Sequence, residues 1–149
     1  MKNVINKMTM TFPSRSSNEG FARTAAAAFV AQLDPTVDEL SDIKTAVSEA
    51  VTNCIVHAYD DTQDGIISID TKIVGNVLHI AIADNGKGID DISKARQPFF
   101  TTKRGDDKRS GLGFTVMETF MDTLEVTPNG EKGLMVKMSK AINSHIRSK

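Results

Sequence analysis

Cys54 is the only cysteine in this chain of 149 residues. One cysteine can neither form a disulfide within the chain nor build a cysteine-based zinc site, so the expected setting is a reducing compartment, the cytoplasm by default. Charge of one sign is lacking too: 18 basic residues stand against 19 acidic ones, for a net charge of -1. No general field draws such a chain to nucleic acid or to an anionic membrane, and any charge-based recognition has to be local. Long apolar runs are missing. None approaches the roughly 20 residues that span a bilayer, and the opening MKNVINKMTMTF has no apolar block of the signal-peptide kind. A soluble protein is expected. His57, His79 and His145 show no metal-ligand spacing, which argues against a zinc site. There is also no G-x-x-x-x-G-K-[ST] loop and no HRD or DFG triplet of the eukaryotic-type kinases, so any phosphate chemistry has to use another framework.

What is present suits one compact domain, long enough to bury a core without disulfides or metal. KMTMTF (7–12) alternates Met8, Met10 and Phe12 with polar residues, the period of a half-buried strand. After Pro13 and a serine cluster, EGFARTAAAAFVAQL (19–33) places Phe21, Ala25, Ala28, Phe29 and Leu33 at helical spacing, with the alanine run allowing close packing. Thr36 caps a second helix, whose apolar positions Leu40, Ile43, Val47, Ala50, Val51, Cys54 and Ala58 form one stripe. IISIDTKI (66–73) and VLHIAIAD (77–84) flank Gly75-Asn76 as a hairpin, and TLEVTP (123–128) with GLMVKM (133–138) form a second around Asn129-Gly130. Between them lie a long charged loop (85–111) and a helical LGFTVMETFM (112–121). The order predicts an α+β two-layer sandwich: a mostly antiparallel sheet with helices on one face.

Glu49, Asn53 and His57 recur every four residues along the second helix, which would place an acid, an amide and an imidazole on one ridge. His57 reads best as a packing or capping residue near the helix C-terminus, and Cys54 as a small core residue. DNGKGI (84–89) ends a predicted strand. Asp84 could accept from an exocyclic amine such as that of adenine, and Gly86 and Gly88 permit positive φ and close ligand approach. Asp-Asn-Gly is also ordinary turn chemistry, and alone the turn is the better reading. RSGLGF (109–114) would point free backbone N–H groups at a phosphate, or simply start a helix. Lys103, Arg104, Lys108 and Arg109 could close over a polyphosphate or merely solvate a loop.

Taken in order, SEAVTNCIVHAY, ADNGKGI, PFFTTK and RSGLGF resemble the N, G1, F and G2 boxes of the ATP-binding family shared by gyrase, the heat-shock protein 90 chaperone, histidine kinases and MutL. Each signal is weak alone, and the four in order are jointly strong. Within that family, whose domain is the Bergerat fold, FVAQLDPTVDELSDIKTAVSEAVTN with ARQPFFTTK and RSGLGF is most similar to the small bacterial anti-sigma serine/threonine kinases of sporulation. The similarity runs from about Met8 to about Met138.

This resemblance implies ATP or ADP as ligand, with Mg2+. It makes Asn53 the Mg2+ ligand, Glu49 the general base and Asp84 the acceptor of the adenine amine, with Gly86 and Gly88 shaping the pocket. Thr102, Lys103 and Arg109 would belong to a lid over the phosphates, with Gly111 and Gly113 in its hinge. It further implies a sigma factor held from RNA polymerase, an antagonist protein phosphorylated on serine, and a homodimer. No direct nucleic-acid or membrane partner is implied. One departure stands out: Gly133-Leu134 occupies a place where many relatives have Gly-Thr, which loses a hydroxyl but not the pocket. Two other functions compete. A histidine-kinase-type catalytic domain would also need a phospho-accepting helical hairpin, for which a chain of 149 residues filled by this fold leaves no room. A nucleotide-sensing binding module would bind ATP without transfer.

Overall fold

Residues 4–60, 62–89, 91–97 and 113–143 are described by a computed structural model of the chain. Among these residues five strands and four α-helices follow the order β1 (Val4–Pro13), α1 (Ser17–Val30), α2 (Val37–Asn53), β2 (Ile66–Val74), β3 (Val77–Asp84), α3 (Ile92–Ala95), α4 (Gly113–Phe120), β4 (Thr123–Pro128), β5 (Leu134–Ala141). The sheet order is β1-β2-β3-β5-β4, and every pairing is antiparallel. This is the expected α+β sandwich, with the short α3 added inside the long loop.

Alternation along the strands selects one face. Ile67, Ile69, Thr71 and Ile73 of β2 are buried, as are Leu78, Ile80, Ile82 and Asp84 of β3 and Leu134, Val136 and Met138 of β5. The intervening Asp70, Lys72 and Lys137 face solvent. Against the buried face pack α1, α2 and α4, forming a single core with Val30, Ile43, Val47, Val51 and Met117.

Thr36 starts α2 with a reciprocal capping box: its hydroxyl accepts from Glu39 N at 3.0 Å, and Glu39 Oε1 accepts from Thr36 N at 2.9 Å. A cap of this kind contributes about 1 kcal/mol. The buried Asn143 fastens the far end of β5 to this junction. Its backbone N–H donates to Glu39 Oε2 at 2.8 Å, and its side-chain amide donates to the carbonyls of Leu33 and Asp34.

Two details differ from expectation. The buried stripe of α1 is Ala22, Ala26, Phe29 and Val30, one position displaced from Phe21, Ala25 and Ala28. Phe21 instead lies 56% exposed and meets Phe12 edge to face at 6.4 Å. An alanine-rich helix offers several nearly equivalent stripes, and the bulkier Phe29 and Val30 decide between them. The second helix also does not run on as an α-helix. It passes at Cys54 into a π turn, Cys54–Ala58, closed by Tyr59 N donating to Cys54 O at 3.1 Å. Bonding five residues back breaks the four-residue spacing on which a Glu49, Asn53, His57 ridge depends.

Candidate functional site

Asp84 occupies a position where the strand pattern calls for another aliphatic residue. It follows Leu78, Ile80 and Ile82 on the helix-facing side of β3 and pairs across the ladder with Ile67. A carboxylate 3% exposed at the end of a core strand needs donors, and it has them. Its Oδ1 accepts from Gly86 N at 3.0 Å and Leu134 N at 3.2 Å, and the Cys54 thiol supplies a further hydrogen bond. Burial still pushes the Asp84 pKa above the ordinary carboxylate value, against the lowering effect of these three donors. Leu134 therefore serves the site through its backbone, while its side chain stays in the core.

The π turn carries the segment that follows Asp84. Cys54 bonds the Asp84 side chain. Lys87 N donates to Ala58 O at 3.2 Å, and a β-carbon on Gly86 would collide with that same carbonyl. Asn85 N donates to the phenol oxygen of Tyr59 at 2.8 Å, while that hydroxyl donates to Ile66 O at 2.7 Å. On the opposite side, Asn129 Nδ2 donates to Asp84 O at 2.8 Å. Of the two glycines expected to provide backbone freedom, Gly88 has positive φ, at 74°, whereas Gly86 is required for close approach.

Asn53, the last residue of α2, lies against the head of α4. A β-carbon on Gly113 would come within 3.0 Å of Asn53 Oδ1 and 3.1 Å of Nδ2. Residues 60 positions apart in the chain thus meet, and the amide oxygen is of the hard type that Mg2+ accepts. One turn earlier, Glu49 is half-buried. Desolvation raises its pKa first, and the negative charge of Glu19 raises it further. Both carboxylates border an open groove of about 450 Å³ between α1 and α2, lined also by Arg23, Leu40, Lys44 and Ser48. Arg23 bridges to Glu19 at 2.9 Å across one helical turn.

Thr102, Lys103, Arg109 and Gly111 lie outside the described residues. Among those that are described, Asp84, Gly86 and Gly88 gather around the end of β3, while Asn53 and Gly113 meet where α2 and α4 converge. Tyr59, Asn129 and the Cys54 thiol are the contributors that sequence reasoning missed. The available signal was their position: Cys54 directly follows Asn53, Tyr59 closes the same helix, and Asn129 opens the second hairpin loop.

The family described as histidine kinase-like ATPase domain matches residues 12–140. An anti-sigma F factor of Clostridium botulinum (strain Alaska E43 / Type E3) is 59% identical over 138 residues, covering 93% of this chain and 96% of that protein. One from Thermoanaerobacter sp. (strain X514) is 58% identical over 139 residues, again covering 93% and 96%. Among solved structures, the RsbU and RsbW domains of Rv1364c from Mycobacterium tuberculosis align with a TM-score of 0.64 at 15% identity, over 92% of this chain and 32% of that one. The catalytic domain of histidine kinase ThkA aligns with a TM-score of 0.59 at 16% identity, over 91% and 98%. At such identities these two structures speak to the fold alone.

Proposed function

Because the chain belongs to the histidine kinase-like ATPase domain family and, within it, to the anti-sigma F factors, we propose that it is a single-domain regulator that inhibits a sporulation sigma factor, sigma F by the name of its relatives, and uses MgATP to phosphorylate a serine on an anti-anti-sigma antagonist. The observation that carries this reading is the pair on α2. Glu49 is a carboxylate made more basic by burial, and it stands one turn before Asn53, whose amide meets the head of α4.

In this reading Asp84 accepts the exocyclic amine of adenine, and Gly86 and Gly88 form the wall beside the base. Asn53 would hold Mg2+ through its amide oxygen, and the ion when bound neutralises phosphate charge. Thr102, Lys103, Arg109, Gly111 and Gly113 are assigned to the lid and hinge over the phosphates. Glu49 takes the proton of the attacking serine hydroxyl as the serine oxygen bonds to the γ-phosphorus and the bond to the ADP oxygen breaks. A base whose pKa is raised accepts that proton more readily. The groove between α1 and α2 leads to Glu49 and gives the acceptor segment a route, with Arg23 on its wall as a candidate partner contact. The same family membership supports a homodimer in the cytoplasm. Val4 and Ile5, 50% and 62% exposed on the edge strand β1, offer apolar surface for it. No helix among the described residues is long and apolar enough to cross a membrane.

Incubation of the protein with labelled ATP and the antagonist should place acid-stable label on a serine, and Glu49→Gln should bind ATP with transfer reduced roughly 10²- to 10⁴-fold. Acid-labile phosphohistidine on the partner would favour the histidine-kinase reading, and ATP binding without transfer would reduce the protein to a nucleotide-sensing module. Normal transfer by Glu49→Gln would remove the base assignment.

A further inference from the structure

Both ends of the peptide group joining Asp84 to Asn85 are held by side chains from elsewhere in the chain. Its carbonyl oxygen accepts from Asn129 Nδ2 at 2.8 Å, and its N–H donates to the Tyr59 phenol oxygen at 2.8 Å. A peptide unit is planar, so two anchors at opposite ends fix its rotation. The Asp84 side chain springs from the α-carbon at one end of that plane, so its direction follows the plane's orientation.

Tyr59 is itself rigid. Its hydroxyl donates to Ile66 O at 2.7 Å at the start of β2, and its ring lies over Gly65, where a β-carbon would sit 2.5 Å from ring carbons. Ile66 is followed by Ile67, the ladder partner of Asp84, so the phenol bridges the two strands that frame the carboxylate. Asn85 is exposed, so water would satisfy its N–H if the phenol were absent. Orientation, and not mere satisfaction of a donor, is what the phenol adds.

We infer that Tyr59 is a positioning residue for recognition of the nucleotide base: by fixing the Asp84–Asn85 peptide, it aims the Asp84 carboxylate at an exocyclic amine and so sets the preference for adenine over 6-oxopurines. This inference rests on the reading of Asp84 as the adenine acceptor. A 6-oxopurine nucleotide such as ITP presents an oxygen to Asp84 in place of the amine, and the preference for ATP over ITP measures how well the carboxylate is aimed.

The test is calorimetric titration of the full chain with MgATP and MgITP. In Tyr59→Phe the ring still fills the space over Gly65, and only the hydroxyl is lost. The expected result is MgATP binding weakened roughly tenfold, MgITP binding nearly unchanged and the ATP/ITP preference reduced by the same factor, with kcat at saturating ATP retained. Asp84→Asn is the control. Its amide oxygen keeps the two backbone donors, its NH2 faces the adenine amine, and the preference should vanish. If Asp84→Asn loses the preference and Tyr59→Phe keeps it, the Tyr59 inference is overturned while the adenine reading stands. If Asp84→Asn keeps the preference, the adenine reading itself falls. Tyr59 is the only tyrosine, so biosynthetic 3-fluorotyrosine labels this position alone and gives a readout without any substitution. Its fluorine resonance should move on saturation with MgATP, and a stationary resonance would count against the coupling.

Discussion

The thiol of Cys54 donates a hydrogen bond to the carboxylate of Asp84, joining the residue after Asn53 to the residue that ends β3. Both side chains are buried. Burial, the Asp84 charge and this hydrogen bond together raise the Cys54 pKa well above the ordinary thiol value.

Cys54 should therefore resist alkylation until the fold opens, and as the only cysteine it reports that opening without background. At a hundredfold excess of MgATP over its dissociation constant, the folded state gains about 2.7 kcal/mol and the labelling rate should fall about 100-fold. Iodoacetamide labelling followed by mass spectrometry measures it. A rate indifferent to MgATP would mean that nucleotide does not bind the folded form.

The transfer rate should carry an acid limb displaced upward. Glu49 has to be ionised to act as a base, and burial first, then Glu19, raise its pKa from the ordinary 4.5. The rate is thus lost as pH falls through that raised value. Glu19→Gln removes one negative charge, so the limb should move to lower pH in a kcat profile. The linked effect on stability has the opposite sense. The folded state holds this proton more tightly than the unfolded chain, so the stabilisation is complete at low pH and disappears as pH rises through the raised pKa. At neutral pH Glu49→Gln should melt no lower than the parent.

Gly113→Ala places a methyl group about 3 Å from the Asn53 amide. MgATP binding should weaken roughly tenfold, and a titration of Mg2+ at fixed ATP should show a raised requirement for the ion. Unaltered Mg2+ dependence would separate Asn53 from the metal.

Asn143→Ala removes the two side-chain hydrogen bonds to Leu33 O and Asp34 O that tie the end of β5 to the α1–α2 junction and keeps the backbone bond to Glu39, at a residue whose φ of 53° disfavours alanine. A loss of about 1–3 kcal/mol is expected from urea unfolding. The kcat/KM of the molecules that remain folded should be unchanged, because the junction lies away from Asp84 and Asn53.

The layer architecture was legible because strand alternation and the Thr36 cap are local signals, and the structure returns both. Asp84 was legible as a polar break at the end of an aliphatic alternation. What could not be read depends on geometry across the chain. The true stripe of α1 was hidden because four consecutive alanines distinguish faces only weakly. The π turn was invisible because the apolar stripe runs through it without a break, and nothing in CIVHA demands a wider turn. Tyr59 and Asn129 acquire their roles from partners 26 and 45 residues away, a relation no spacing rule contains.

The wider turn at Cys54–Ala58 also makes the helix intolerant in one particular way. A single-residue deletion there would restore regular winding and so look harmless, or even improved, to a designer idealising the helix. Each residue of an α-helix turns the chain by about 100°, so everything beyond the deletion would be re-phased. Ala58 and Tyr59 would swing off Lys87 and Asn85 while Glu49 and Asn53 stayed in place. Such a variant would keep its helix content and the Glu49–Asn53 pair and lose the contacts that hold the segment after Asp84, so the extra residue sets the length of this helix.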